Sequence, residues 1–536
     1  MPKKHSEKKA KTMAVLHPRP HETKRKVAPT FPLISPYIFL FVVVWAWAAF
    51  WYGDVFRIAR EFSFWSSNGT LMSYEDGRPW ELLWRIGLFL LQFFRWPALG
   101  ALLLSFFVTA STYLFSYCLR LRSWWRLLQF VPAILFLASI AYVGFDLYYE
   151  TETGMIMGIP FLCFLILLVA GVMIRSFSRK GMPPLLKADK GESRRQNHVQ
   201  LALALVPVLI AMAITQWMRP YVRVVTRMQR YMMEQNWKDM AETGRDNGNL
   251  SYRPLAAYYA IALVQRGEIG TRLFDIRMDY DTPYMHGYNG TGNDIANYYL
   301  PECDFYAGLV ETSIHHSMEN MTMNGPNLRA LKLLAKCALL TGEWEVAEKY
   351  FTVLHTVPFE GKWLRKYESM LRDTAAINRD PEFHMVRLTE PVHDIFENNL
   401  VQPVFLGYNA ALLEGRSINA LWNSLAVHIY TKSMPQFIYR CQPMKGTAPP
   451  ESFAEALALM SSKQPELKQM YSGLDFQRSR LSRFASEIKP YMKDKQKYAK
   501  ELYPKYKGYY PYYYFFGNLK ATKKKEDNAT SKSGVN

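Results

Sequence analysis

Residues Trp96–Cys118 read WPALGALLLSFFVTASTYLFSYC, an apolar run that carries no formal charge. A bilayer's hydrocarbon core takes about 20 consecutive mostly apolar residues in helix, so this run is long enough to cross it. Four more runs of similar length lie around it, at Leu33–Tyr52, Trp125–Phe145, Ile156–Ile174 and Val199–Trp217. Beyond Trp217 no comparable run follows to the end at Asn536. This split predicts an all-α chain: a transmembrane domain of five helices over 31–218, then a soluble helical domain.

Orientation follows from where Lys and Arg fall, because cytoplasmic loops keep the basic excess. The leader over 1–30 holds Lys3, Lys4, Lys8, Lys9, Lys11, Arg19, Lys24, Arg25 and Lys26. The turn between the second and third runs holds Arg120, Arg122 and Arg126, and the loop after the fourth holds Arg175, Arg179, Lys180, Lys187, Lys190, Arg194 and Arg195. The turn between the third and fourth offers Asp146, Glu150 and Glu152 and no base. The loop Gly53–Arg95 is close to balanced. The alternation predicts a cytoplasmic N-terminus and, after an odd number of crossings, a C-terminal domain outside the cytoplasm. Leu82–Phe94 (LLWRIGLFLLQFF) is short and interrupted by Arg85, and so predicts an interfacial helix leading into the second span. Phe50, Trp51 and Tyr52 are not a small-residue cleavage site, so the first run reads as a retained signal anchor.

The formal net charge of +19 suggests nucleic-acid binding at first sight. Much of the base, however, sits in the leader, in the loop over 175–195 and in the tail Lys520–Lys525. Topology and anionic headgroups account for those positions, which leaves the bilayer and not nucleic acid as the partner. Of the 5 cysteines, Cys118 and Cys163 lie in spans and Cys303, Cys337 and Cys441 outside, too sparse and odd a set for a disulfide framework. Asn68-Gly-Thr and Asn289-Gly-Thr match the N-glycosylation tripeptide, which is frequent by chance.

The soluble part, 219–502, carries an internal period. In Asn327–Pro358 (NLRALKLLAKCALLTGEWEVAEKYFTVLHTVP), Gly342, Trp344, Ala347, Phe351, Leu354 and Pro358 occupy the positions of a tetratricopeptide repeat. The glycine ends the first helix, the alanine lets the second approach, and the phenylalanine fills the groove to the next unit. A step of 34 residues back takes Gly342 to Gly308 and Ala347 to Ser313. Weaker units are marked by Gly267 with Ile269, by Tyr231–Gly244 with Trp237, and by Tyr408–Pro435 with its turn at Gly415. The expected architecture is thus a solenoid of tetratricopeptide-like hairpins. Cys303 and Cys337 share one register position on stacked helices, whose axes lie about 8–10 Å apart. A disulfide needs Cα atoms within about 7 Å, so both should remain buried thiols. The loop Asp275–Tyr299 breaks the period, and such a loop often carries a solenoid's particular function. The aromatic segment 503–519, with YPKYKGYYPYYYFF at Tyr503–Phe516, suits sugar stacking, the headgroup boundary or a cap on the last helices; 520–536 reads as disordered.

Chemistry-bearing patterns are few. Glu311, His315 and Glu319 recur at helical spacing with His316 beside them, but lack the order of a zincin motif, so no metal site is assigned. No nucleophile elbow, phosphate loop or CxxC pair occurs, and no cofactor is expected. Asp54, directly after the first run, with Glu61 and Asp76 in the same outer loop, is the one catalytic possibility. Glycosyltransferases that use lipid-linked sugars place a carboxylate general base there, although they usually have more spans.

Taken together, the basic leader, the five runs, LLQFFRWPALGALL, NWKDMAE, LAKCALLTGEWEVAEKYF and YYPYYYFF resemble a family of bacterial membrane proteins of unknown function from the Bacteroides group. The resemblance implies an inner-membrane location and a periplasmic helical tail, and brings no reaction. The expected function is a multi-pass inner (plasma) membrane protein whose repeat domain serves protein interaction or envelope assembly. The alternative is a membrane-embedded, glycosyltransferase-like enzyme of envelope polysaccharide or lipid metabolism, using Asp54, Glu61 and Asp76.

Overall fold

The computed structural model describes residues 35–77, 80–119, 128–143, 153–177, 194–218, 220–250, 252–278, 295–392 and 417–517. Among them the chain is all-helical, with no extended strand. The first half forms α1 (Ser35–Ala46), α2 (Gly53–Glu61), α3 (Glu81–Leu91), α4 (Pro97–Leu119), α5 (Val131–Val143), α6 (Met155–Phe177) and α7 (Arg194–Met218). A π turn at Trp47–Trp51 extends α1, and the chain then bends by 65° into α2. Helices α4 and α6 are apolar on all sides, and both are long enough to cross a membrane. The bent α1–α2 pair passes the same test only when its two helices are taken together, while Leu128–Ile140 and Leu205–Thr215 are shorter apolar stretches.

The ends of these helices sort into two levels. At one level, Tyr37 near the start of α1 donates to Gln129 just before α5 (3.0 Å) and meets Tyr113 of α4 edge-on. Cys118 at the end of α4 lies at the same level, against the Leu167 carbonyl of α6 (3.6 Å). At the other level, Trp45 donates to Ala98 at the start of α4 (3.0 Å), and Tyr52 donates to the Thr215 carbonyl near the end of α7 (2.9 Å). There α3 crosses the start of α6 so closely that a Cβ on Gly87 would lie 2.1 Å from the Gly154 carbonyl oxygen. Only glycine permits that approach.

After α7 come α8 (Pro220–Met233), α9 (Trp237–Asp246), α10 (Arg253–Arg266), α11 (Ile269–Arg272), α12 (Ile295–Tyr306), α13 (Val310–Asn324), α14 (Leu328–Thr341), α15 (Trp344–His355), α16 (Gly361–Glu368), α17 (Thr374–Arg379) and α18 (Pro381–Thr389). Then follow α19 (Ile418–Tyr430), α20 (Met434–Arg440), α21 (Glu451–Met460), α22 (Leu467–Met470), α23 (Leu474–Ile488), α24 (Lys495–Tyr506) and α25 (Tyr510–Phe516). Helices α12–α13 and α14–α15 are two hairpins whose turns sit at Gly308 and Gly342, with φ of +86° and +79°. Both turns need the left-handed conformation that only glycine adopts without strain. Asn327 caps α14 by accepting from the Ala330 N–H (2.8 Å). Ala347, Phe351 and Leu354 are buried as the repeat pattern requires, and Trp237, which opens α9, meets Tyr306 edge-on.

The expected turn at Gly415, most of the loop Asp275–Tyr299, the leader and the tail 520–536 lie outside the described residues. Between α19 and α20 the chain turns at Lys432, at φ +55°. The aromatic segment packs inward: Tyr510, Tyr512, Tyr513 and Phe516 are buried, and Tyr510 and Tyr513 donate to the carbonyls of Ile429 (3.2 Å) and Tyr430 (2.8 Å). It acts as a cap on the helices before it.

Candidate functional site

Helix α2 (GDVFRIARE) sits between the apolar helices and the hairpins, and most of it is buried. Its last turn brings two charges inside, Arg60 (0% exposed) and Glu61 (1%). Burial of a charge is costly unless it is paired and hydrogen-bonded, so the partners define the site. The Arg60 guanidinium donates from Nη1 to Glu61 Oε1 (2.7 Å), from Nε to Gln92 Oε1 (3.1 Å) and from Nη2 to the Pro358 carbonyl (3.1 Å), and Nη2 also contacts Glu360. Lys332 of α14 closes the ring, with Nζ 2.9 Å from Glu61 and 2.8 Å from Glu360. Two cations and two carboxylates thus alternate in a buried, neutral quartet. Gln92, in the 3-10 turn that precedes α4, also donates to Ser63 Oγ just after α2 (3.3 Å).

The electrostatics follow from the pairing. Burial alone would raise the Glu61 carboxyl, but Lys332 and then Arg60 outweigh it and hold Glu61 well below the usual carboxylate range. Burial likewise pulls against the Arg60 charge, and the fields of Glu61 and Glu360 more than restore it. Backbone contacts fasten the same joint: Leu328 N–H donates to the Ser63 carbonyl (3.0 Å) and Ser67 N–H to the Thr356 carbonyl (3.0 Å). On the flank of α2 facing α8, Asp54 pairs with Arg230 (2.8 Å) and Arg57 with Glu234 (2.9 Å).

Helix α14 is the central element of this arrangement. It carries Arg329, Lys332 and Lys336 in a sequence otherwise rich in Leu and Ala, and each cation reaches a different helix. Arg329 pairs with Glu302 of α12, Lys332 with the quartet, and Lys336 with Glu382 of α18 (2.7 Å). Glu382 also accepts from Tyr306 (2.7 Å) and Tyr367 (2.6 Å). Against the upward pull of burial, Lys336 and the two phenols bring its pKa down to about 2. The first turns of α14 are covered by residues 61–63 of this same chain, through Glu61 on Lys332, Phe62 under Arg329 and the Ser63 carbonyl on Leu328 N–H.

The acids singled out in the outer loop are not brought together. Asp54 pairs with Arg230, Glu61 lies in the quartet, and Asp76 contacts Arg85 of α3. Of the histidine-bearing face, His316 is buried against Asp304 (2.7 Å), while His315 is half exposed and 3.9 Å from Glu319. No group of three His, Cys, Asp or Glu residues is placed to hold a metal among the described residues. Cys303 and Cys337 are buried free thiols. Sequence reasoning missed Lys332 and Glu360. The available signal was three cations recurring within an apolar helix, since Lys and Arg are almost never buried without partners.

Fold and site define an all-helical protein in which apolar helices and a helical-hairpin domain are locked together by buried charge. The chain belongs to a family of unknown function (DUF6057), whose family model matches residues 137–517. That match takes in Lys332 and Glu360 and leaves out Arg60 and Glu61. No curated protein and no solved structure matches the chain.

Proposed function

We propose that the chain is a multi-pass protein of the bacterial inner membrane that crosses it five times from a cytoplasmic N-terminus. Its tetratricopeptide-like solenoid then lies in the periplasm and serves as a platform for protein interaction or envelope assembly. The observation that carries this reading is the sorting of helix ends into two levels. The basic leader and the basic loop at 120–126 join ends at the level of Tyr37, Gln129 and Cys118, and the basic loop at 175–195 follows α6, which passes Cys118 at Leu167. The hairpin domain joins the other level, beside Tyr52 and Thr215. That segregation is what the positive-inside rule asks of five crossings. The sequence runs Trp125–Phe145 and Val199–Trp217, which contain the two shorter apolar helices, are themselves of crossing length.

The platform reading draws on the repeat geometry and on large side chains left at the surface of the later helices. Tyr439 is 74% exposed and Phe476 71% exposed. Because residues 61–63 cover the first turns of α14, the partner surface is assigned to those later helices instead of the first hairpins. The catalytic alternative gains nothing from the three separated carboxylates.

Two experiments test this reading. Cysteine-accessibility probes after residue 185 and near residue 450 should report cytoplasm and periplasm respectively, and two cytoplasmic signals would overturn the topology. A photo-crosslinking residue at Tyr439 or Phe476 in native membranes should capture a discrete partner. Absence of any crosslink at both positions, in cells where the chain complements its own deletion, would overturn the platform.

A further inference from the structure

Phe359 follows the second helix of the best-formed hairpin, yet its ring does not join the hairpin core. Its backbone holds φ +68°, a region a bulky aromatic residue enters only when its surroundings impose it. The imposed position is specific. The ring packs against Phe93 (centroids 5.5 Å apart) and Trp96 (5.0 Å), the residues that lead into α4. Next to it, Glu360 is anchored in the buried quartet. Phe359 remains 37% exposed and Trp96 51%.

Immediately after this turn, α16 presents Lys362 and Arg365 on its exposed face, one turn apart, while Leu364 and Tyr367 are buried. Lys366 beside them is taken by Asp380 (3.1 Å), but no carboxylate pairs with Lys362 or Arg365 among the described residues. An exposed aromatic cluster at the mouth of an apolar helix, flanked by two uncommitted cations, has the composition of a headgroup-level anchor. Tryptophan and its aromatic neighbours favour the polar–apolar boundary, and basic side chains just above it attract anionic headgroups.

We propose that Phe359, Trp96, Lys362 and Arg365 form a phospholipid-headgroup site on the hairpin domain itself. The aromatic rings lie at the boundary and the two cations take phosphate oxygens of the leaflet that faces the domain. The domain is then held down on the bilayer at this edge instead of projecting freely. This inference rests on the membrane reading above, and the test separates the two.

The full chain is placed in nanodiscs of phosphatidylethanolamine and phosphatidylglycerol, with a fluorophore on Phe359→Cys or Lys362→Cys and, as control, on Phe476→Cys. Background from the native thiols is taken from the unsubstituted chain. Lipid carrying a headgroup spin label should quench the probe at 359 and at 362 several-fold more than at 476. Equal quenching at all three sites overturns this inference alone. Failure of the chain to enter the nanodisc overturns the membrane reading and this inference with it. In detergent, phosphatidylglycerol should raise the melting temperature of the unsubstituted chain and not of Lys362→Gln/Arg365→Gln. An equal rise in both proteins, or the same rise with inorganic phosphate alone, overturns a lipid site.

Discussion

Replacing Lys332 by Met keeps the side-chain volume and removes one charge from the quartet. Lys332 is 7% exposed and its amine lies 2.9 Å from Glu61 and 2.8 Å from Glu360, so Arg60 is left facing two buried carboxylates. Breaking a buried pair by removing one partner costs about 3–5 kcal/mol. An independent bound comes from protonation, because one carboxyl can neutralise the site by taking a proton. Bringing a group of ordinary pKa near 4.3 to that state at about pH 7 costs about 3.7 kcal/mol, at about 1.4 kcal/mol per unit. The two figures agree, and the second carries a signature: near pH 5 the same route costs only about 1 kcal/mol. Lys332→Met should therefore lose about 3–4 kcal/mol near neutrality and recover most of it on mild acidification. In the unsubstituted chain, Glu61 has a folded pKa below its unfolded value. Its contribution is thus present above about pH 4.3 and lost only as pH falls from there through the depressed folded pKa. Adding Glu61→Gln to Lys332→Met leaves Arg60 balanced by Glu360 and should restore at least about 1 kcal/mol. Pulse proteolysis in detergent across a urea series measures all three proteins. A loss that does not change with pH, together with a double variant at the additive sum, would refute the quartet as an electrostatic unit.

Other expectations follow from single positions. Gly342→Ala meets only Trp344 at 3.7 Å and should cost about 1–2 kcal/mol for its left-handed backbone, whereas at Gly308 the added Cβ lies 2.5 Å from backbone atoms of Thr389 and Glu390. Gly308→Ala should cost clearly more in the same urea series, and equal costs would contradict the packing of α18 on that turn. Burial raises the Glu455 carboxyl to about 8, against the opposing pull of the Tyr510 N–H and Arg480. Its folded pKa lies above the unfolded one, so its contribution to stability is full below about pH 4.3 and falls by up to about 1.4 kcal/mol per unit towards pH 8. Glu455→Gln should flatten that slope, and a slope left unchanged would show that another group sets it. Gly87→Leu should push α3 off α6 at a cost of about 1–3 kcal/mol and raise hydrogen exchange over 81–91; unchanged exchange would refute the close crossing.

Helix existence was legible because it depends on local pattern. The run Trp96–Cys118 became α4 at Pro97–Leu119, and the short run Leu82–Phe94 became α3 at Glu81–Leu91 followed by a 3-10 turn. The hairpin turns at Gly308 and Gly342 were legible for the same reason, since a left-handed turn needs glycine and leaves a mark. The turn at Lys432 left none, because a lysine forced to φ +55° by its surroundings carries no local signal. The site was legible only in fragments. Asp54, Glu61 and Asp76 were grouped by their nearness in sequence, but their partners are fixed by tertiary docking. Glu61 meets a lysine 271 residues away, a pairing that no local pattern encodes. Arg329, Lys332 and Lys336 did leave a trace, as cations where the helical period calls for apolar side chains.

The quartet also bears on how the chain threads the bilayer. Arg60 and Glu61 follow the first apolar run, Gln92 precedes the second, and Lys332 and Glu360 belong to the hairpins. Direct bonds among them require all three segments to lie on one side of any membrane the chain crosses. An even number of crossings must then separate α2 from α8, and no crossing can separate α2 from Gln92. A span at Leu82–Phe94 breaks that second condition, and the 11 residues of α3 would reach only about 16 Å of a core about 30 Å thick. The proposed topology, with one crossing before α2 and four through α4, α5, α6 and α7, meets both conditions. A count of six would separate Arg60 from Gln92 and leave a guanidinium buried without its partners, at a cost of several kcal/mol. The charges that hold the two halves together thus limit which topologies the chain can adopt, and the five crossings proposed above satisfy that limit.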